Sequence, residues 1–421
     1  MLNRSITRAD LTAVVINSVI GAGIFGLPGR VFGLIGNYSL FAFVACGIFA
    51  GLLVLCFAEV AGRFSQTGGP YLYVREAFGP VAGFGAGWLL WVSRVSAFAA
   101  NSILLAGYAD LLLPGVASGP RRAIFLSSLT LLLVAVNYAG IRGAAQISNL
   151  FTAGKLIPIA VLIAVGLWFT DWTRFTFASP PGFAPFSSSV LLLVYAFTGF
   201  EMAVVPSGEI QNPARNIPPA LMTAIAIIAA VYLLIQMVCI GTLPGLAASQ
   251  RPVADAARMI LGPAGAAFIT AGIVISIAGN LHVTLLSASR IPYAMAQRGE
   301  VPGFLGRTHP RLQTPHLSIL FTAAIMLGIA LSGTFIYAVT VSTLARLTIY
   351  ISTCAALPVL RRRAGATGGV VIPAVVILLA LWLMSNSTLR EARDTTIAAA
   401  LGFAIFAISK YAPASKSSRA A

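Results

Sequence analysis

Inside this strongly apolar sequence, only a few residues can do ionic chemistry. Lys155 stands in Ala-Gly-Lys-Leu-Ile-Pro-Ile-Ala, Glu201 ends Tyr195-Ala-Phe-Thr-Gly-Phe-Glu, and Arg94, Arg346 and His282 lie in further apolar runs. A lysine at the centre of a bilayer costs about 2.5–3.5 kcal/mol on insertion scales, so an ionisable residue there is a functional candidate by default. Burial disfavours the charged form of an amine or a carboxyl group, which gives Lys155 and Glu201 the chemistry of proton exchange. The alternatives are static: Lys155 as a fixed structural cation, and Glu201 paired with Arg94 or Arg346. His282 can titrate near neutrality, but a lone histidine on an apolar helix is more often a hydrogen-bonded core residue.

The second chemical resource is backbone. Asn17 to Pro28 reads Asn-Ser-Val-Ile-Gly-Ala-Gly-Ile-Phe-Gly-Leu-Pro in the middle of the first apolar run. Glycine inside a helix costs roughly 0.5–1 kcal/mol against alanine. Broken backbone at membrane depth is tolerated only where it is buried in protein or lines a cavity. The stretch therefore reads as a binding site made of N–H and C=O groups. Taken alone, a close helix contact through small residues explains it equally well.

These groups need a scaffold of membrane helices. The 421 residues are 58% hydrophobic and 9% charged, against about 25% charged in soluble domains. Apolar runs of helical rather than ten-residue strand length recur. Twelve spans are expected near 11–34, 39–62, 81–112, 122–140, 147–169, 187–207, 217–243, 266–296, 315–332, 334–358, 370–386 and 395–411. The formal charge of +16 does not point to nucleic acid, because the basic residues fall in short loops. With the N-terminus inside, sixteen of the 27 Lys and Arg residues are cytoplasmic, eight are external and three lie within spans. The positive-inside rule then puts both termini in the cytoplasm of a multi-pass cell-membrane protein. The four cysteines (Cys46, Cys56, Cys239, Cys354) and three histidines (His282, His309, His316) show no metal or disulfide spacing, and no cofactor is expected.

Span 6 repeats the signature of span 1, with Gly199 and Glu201 near its middle. Interrupted helices at corresponding positions of two halves point to a carrier site. Each half holds five spans, so the second crosses in the opposite sense. The expected organisation is a cytoplasmic N-terminus (1–10), a first five-helix repeat (11–169) and an inverted second repeat (187–358). Two additional helices (370–411) and a cytoplasmic tail (412–421) complete it.

Four ordered motifs resemble the amino acid–polyamine–organocation superfamily of permeases. They are Gly21-Ala-Gly-Ile-Phe-Gly-Leu-Pro28, Glu59-Val-Ala-Gly-Arg-Phe-Ser-Gln-Thr-Gly-Gly-Pro-Tyr71, Phe197-Thr-Gly-Phe-Glu201 with Gly208-Glu-Ile-Gln-Asn-Pro-Ala-Arg-Asn-Ile-Pro218, and Ser289-Arg-Ile-Pro-Tyr-Ala-Met-Ala-Gln-Arg-Gly-Glu-Val-Pro302. The resemblance implies an all-α LeuT-type five-plus-five fold, alternating access and an amino acid substrate. It supports a division of labour at the breaks. The N–H groups of Ala22, Gly23 and Ile24 would take the substrate carboxylate, beside Gly21. The carbonyls of Val19, Ile20, Tyr195, Ala196 and Thr198 would take its ammonium, with Phe197 and Phe200 at the second break and Phe200 and Tyr195 as wall or gate. Asn101, Ser102, Asn280, Ser342 and Thr343 are further polar candidates, each equally explained by an interhelical hydrogen bond.

In sodium-independent members a lysine at the place of Lys155 fills the volume of a sodium site. Its ammonium would reach the carbonyls near Ile20–Gly21 and the Ser276 hydroxyl. Glu209 and Arg215, with Arg290 and Arg298, are expected to latch the cytoplasmic side. The expected function is a proton-coupled, sodium-independent amino acid symporter. An exchanger or an amine carrier is the alternative, although scarce acidic groups disfavour a polycation. A membrane enzyme would need a metal cluster or a nucleophile–base set, and a channel would not need broken helices in inverted repeat.

Overall fold

In a computed structural model, the structure describes residues 7–64, 69–139, 144–177, 179–203 and 210–411. Among these residues the fold is built from helices. The first apolar run is split into α1 (Arg8–Val19), α2 (Ala22–Gly26) and α3 (Pro28–Ile35). α4 (Ser39–Gly62) and a short α5 (Pro70–Phe78) lead into α6 (Pro80–Ala109), α7 (Gly119–Ala139) and α8 (Ala144–Trp168). The second broken pair is α9 (Phe183–Ala196) and α10 (Phe200–Ala203), followed by α11 (Pro213–Thr242) and α12 (Pro252–Gln297). The chain closes with α13 (His316–Ser332), α14 (Phe335–Arg363), α15 (Val371–Ser385) and α16 (Leu389–Tyr411).

Local sequence sets these ends. Thr7 and Asp10 form a reciprocal capping box at α1, with Asp10 N–H donating to Thr7 Oγ1 (3.3 Å) and Thr7 N–H to Asp10 Oδ2 (3.0 Å). Two orphan donors at the helix start are satisfied in this way. Proline opens α3, α5, α6, α11 and α12, where its missing N–H has no helical partner to lose. Among the described residues, eight helical segments are long and apolar enough to cross a membrane, and four shorter apolar ones accompany them. At about 1.5 Å per residue, the 24 residues of α4 cover a hydrocarbon core.

The helices are not equivalent. α6 is buried along most of its length and packs on α14 and α12, while α11 packs on α4 and α1. α7 and α16 sit at the rim, where Ile124, Leu131 and Ile408 are 65, 66 and 69% exposed. Such side chains on a helix face suit lipid contact. α12 begins at Pro252 and bends at Gly262 (φ 70°, ψ −170°), and the expected span 8 (266–296) falls on its part beyond the bend. Positive φ at Gly262 is open to glycine, so a short segment precedes the bend before the span proper.

Candidate substrate site

Two helix breaks meet at the centre of the molecule. α1 stops at Val19, Ile20 (φ −67°, ψ 95°) and Gly21 (φ −135°, ψ −154°) are extended, and α2 starts at Ala22. Gly21 has no side chain to cap α2, so the N–H groups of the first turn lack an intrahelical acceptor. Leu27 is itself helical and joins α2 to α3, with Leu27 N–H donating to Gly23 O at 3.0 Å and Val31 N–H to Leu27 O at 2.9 Å. In the second break, Phe197 to Gly199 separate α9 from α10, and Gly199 adopts φ +121°. A Cβ at Gly199 would lie 2.5 Å from Ser18 O, and one at Gly23 would lie 2.6 Å from Ala196 Cα. Glycine therefore lets the two breaks touch. The close-contact reading of these glycines is met by this geometry.

Their carbonyls are not vacant. Tyr232 Oη, from α11, lies within hydrogen-bond distance of both Val19 O (3.1 Å) and Ala196 O (2.9 Å), so its one proton is shared between the two breaks and staples them together. Lys155 Nζ donates to Asn17 O (2.6 Å) and Ile20 O (3.0 Å), and Thr198 Oγ1 donates to Tyr195 O (2.7 Å). The Val19, Ile20, Tyr195 and Ala196 carbonyls, expected to meet a substrate ammonium, thus each already accept a hydrogen bond, and a carbonyl oxygen carries a second lone pair. Lys155 reaches the broken helix as expected, whereas Ser276 Oγ is buried without a hydrogen bond. A lysine that donates to carbonyls at a helix break supplies there the charge that a bound cation would supply.

Between the breaks lies a cavity of about 40 Å3. Ser18, Val19, Gly21, Ala22 and Gly23 line it from the first break, and Tyr195, Thr198 and Gly199 from the second. α6 contributes Arg94, Ala97 and Asn101, α12 contributes Asn280 and Thr284, and α14 contributes Arg346. A polar chain crosses the wall: Tyr195 Oη donates to Asn101 Oδ1 (2.6 Å), and Asn101 Nδ2 to Asn280 Oδ1 (2.8 Å). Thr284 Oγ1 donates to the same Asn280 oxygen at 3.3 Å.

Glu201 forms both of its alternative pairs at once. Its Oε1 faces Arg346 at 3.1 Å and Arg94 at 3.5 Å, and its Oε2 accepts from Gly199 N–H (2.9 Å) and Tyr350 Oη (3.1 Å). All three charged groups are buried, with Glu201 1% exposed. Breaking such a buried pair typically costs about 3–5 kcal/mol, so this cluster fixes α6, α10 and α14 to one another.

Several expected residues stand behind the wall and not on it. Ile20 and Ile24 are buried in the core and Ala196 packs on Gly23. Phe197 packs edge-on against Tyr232 (5.1 Å). Phe200 packs on Phe57 (5.3 Å) and Tyr350 (5.6 Å), away from the cavity lining, which corrects its placement as a wall. Ser342 is spent on Ser93 O and Thr343 on Val339 O, while Ser102 Oγ has no hydrogen bond. His282 Nδ1 contacts Asn137 Nδ2 at 3.2 Å, an interhelical pair. Among the described residues no cluster of His, Cys, Asp or Glu could hold a metal.

The expected latch falls only in part within the described residues. Glu209 lies outside the described residues, Arg215 is exposed, and Arg290 donates to Leu286 O and Ser289 Oγ. Arg298 sits over the Tyr71 ring at 4.8 Å. Ion pairs at this end of the bundle instead join Glu59 to Arg361 and Arg63, and Arg75 to Glu300 (2.9 Å). These pairs tie α4 to α14, and α5 to the segment after α12. Tyr232 and Tyr350 are the functional neighbours that sequence reasoning missed. A tyrosine in an apolar run carries no spacing signal that separates a structural donor from a core ring.

A family model described as amino acid permease matches residues 6–408. The chain is 31% identical to the serine/threonine exchanger SteT of Bacillus subtilis, over 77% of this chain and 76% of that protein. It is 28% identical to the methylthioribose transporter of Bacillus subtilis (83% and 80% covered) and 26% identical to that organism's branched-chain amino acid permease BcaP (91% and 88% covered). These relatives are carriers and not enzymes, and the aligned region holds both helix breaks: the chain belongs to the amino acid permease family and is a multi-pass membrane transporter.

Proposed function

We propose that the protein is a secondary active amino acid transporter of the cell membrane, proton-coupled and independent of sodium. It works by alternating access on a LeuT-type frame in which α1–α8 and α9–α14 form inverted five-span repeats, α15 and α16 are additional, and both termini are cytoplasmic. The single observation that carries the reading is Lys155 Nζ donating to Asn17 O and Ile20 O at the first break. A protein-borne cation there removes the need for a metal cation, and an amine can release and rebind a proton as the site opens and closes. The substrate carboxylate docks on the N–H groups of Ala22 and Gly23, where a helix start carries partial positive charge. Its ammonium meets the second lone pairs of the break carbonyls. The Glu59–Arg361 and Arg75–Glu300 pairs hold the cytoplasmic side shut in this arrangement, and Lys155 and Glu201 are the coupling candidates.

The test is uptake by the purified protein in liposomes, with a panel of amino acids under an imposed proton or sodium gradient. Accumulation driven by the proton gradient without sodium supports the reading. Accumulation that needs sodium and ignores pH contradicts it. Exchange is the second reading, favoured by the exchanger named among the relatives. Uptake that requires a preloaded amino acid inside would establish it.

A further inference from the structure

The charges around the cavity do not balance. Arg94 and Arg346 both line it, each at most 6% exposed, and Glu201 is the single anion they share. Glu201 Oε2 already accepts two hydrogen bonds, and Oε1 meets both guanidinium groups in ion-pair contact without hydrogen-bond geometry. Arg94 Nε and Nη2 and Arg346 Nε are buried with no acceptor. Buried donors left unsatisfied are costly, and more so when charged. A guanidinium offers five donors in a fixed fork that matches a carboxylate.

We propose that Arg94 and Arg346 form a subsite for an anionic group on the substrate side chain, so that acidic amino acids are preferred substrates. The inference rests on the amino acid reading of the cavity given above. Arg94, Ala97 and Asn101 follow i, i+3 and i+7 spacing and share one face of α6. At 1.5 Å per residue, Arg94 lies about 10 Å along the axis from Asn101. The small side chain of Ala97 stands between them. A substrate held by its carboxylate at Ala22 and Gly23 extends past Ala97 towards the arginines. A neutral amino acid is a zwitterion and leaves the excess positive charge of the site unchanged; a second carboxylate offsets it. A second cavity of about 390 Å3, lined by Gly26 and Leu104 among others, carries Arg30 and Arg122 with no acidic residue in its lining. An anion entering it meets charge of the opposite sign.

The experiment uses the wild-type protein in liposomes and two isosteric pairs, aspartate against asparagine and glutamate against glutamine, with serine and leucine as neutral controls. The expected result is that each carboxylate is taken up with a kcat/KM at least tenfold above that of its amide. A complementary variant, Arg94→Gln, is expected to lower the carboxylate-to-amide ratio at least tenfold through KM, and Arg94→Lys to restore part of it. Neutral amino acids entering with carboxylates no better than amides would overturn the subsite and leave the transporter reading standing. No uptake of any amino acid would overturn both. If Arg94→Gln does not insert stably, the wild-type ratio alone decides.

Discussion

The two glycines of the first break make opposite predictions when given a methyl group. At Gly23 an added Cβ would lie 2.6 Å from Ala196 Cα and 2.8 Å from Ala196 Cβ, so the two broken helices must part. Overpacking of this kind costs about 1–3 kcal/mol. At Gly21 the added Cβ would lie 3.5 Å from Asn280 Nδ2, an ordinary contact, at a φ of −135° that other residues adopt. Stability should therefore change by less than about 1 kcal/mol. That methyl nevertheless projects towards Asn280 across the cavity. If the substrate occupies the same space, displacing it costs about 1–3 kcal/mol, or roughly a fivefold to 150-fold increase in Kd. Thermal unfolding in detergent and equilibrium binding of a transported amino acid measure the two quantities. Gly23→Ala should lower Tm, whereas Gly21→Ala should leave Tm near wild type and weaken binding. Normal affinity in Gly21→Ala, in protein of normal Tm, would refute the placement of the substrate between the breaks.

Three further outcomes follow from the same geometry. Tyr232→Phe deletes the hydroxyl whose one proton is shared between Val19 O and Ala196 O; losing that donor should cost about 1–3 kcal/mol, read as a lower Tm, and an unchanged Tm would count against the staple. Glu201→Gln leaves Arg94 and Arg346 facing each other without an anion; the expected loss is about 3–5 kcal/mol, and wild-type thermal stability would contradict it. Lys155→Ala should abolish proton-driven accumulation: with one proton per substrate, a pH step of one unit stores about 1.36 kcal/mol, roughly a tenfold gradient in wild type and none in the variant, so retained accumulation would exclude Lys155 from coupling.

The frame was legible because its signals are local. Helix length, proline at helix starts and the glycines of Asn17–Pro28 mark where spans begin and break, and α1 ends at Val19 where the sequence reading stops it. The second break at Phe197–Gly199 was legible for the same reason. Lys155 was found because a lysine in an apolar run is costly wherever it points. What stayed hidden depends on side chains that meet from distant helices. Tyr232 lies 213 residues from the Val19 carbonyl to which it donates, and Tyr350 lies 149 residues from Glu201. No spacing rule records either contact. Phe200 was misread because helix position alone does not tell whether a ring faces a cavity or the core behind it; α10 turns it onto Phe57 and Tyr350.

The central claim is that an amino acid binds between the two breaks, and Thr198→Cys tests it most directly. Thr198 lines the cavity at the second break. The native Cys46, Cys56, Cys239 and Cys354 are all at most 2% exposed, so they add little background to labelling by a small hydrophilic thiol reagent. In liposomes, a transported amino acid should slow labelling of Cys at this position, with half-protection near the KM for its uptake. Labelling that proceeds at the same rate under a saturating concentration of that amino acid would contradict the account.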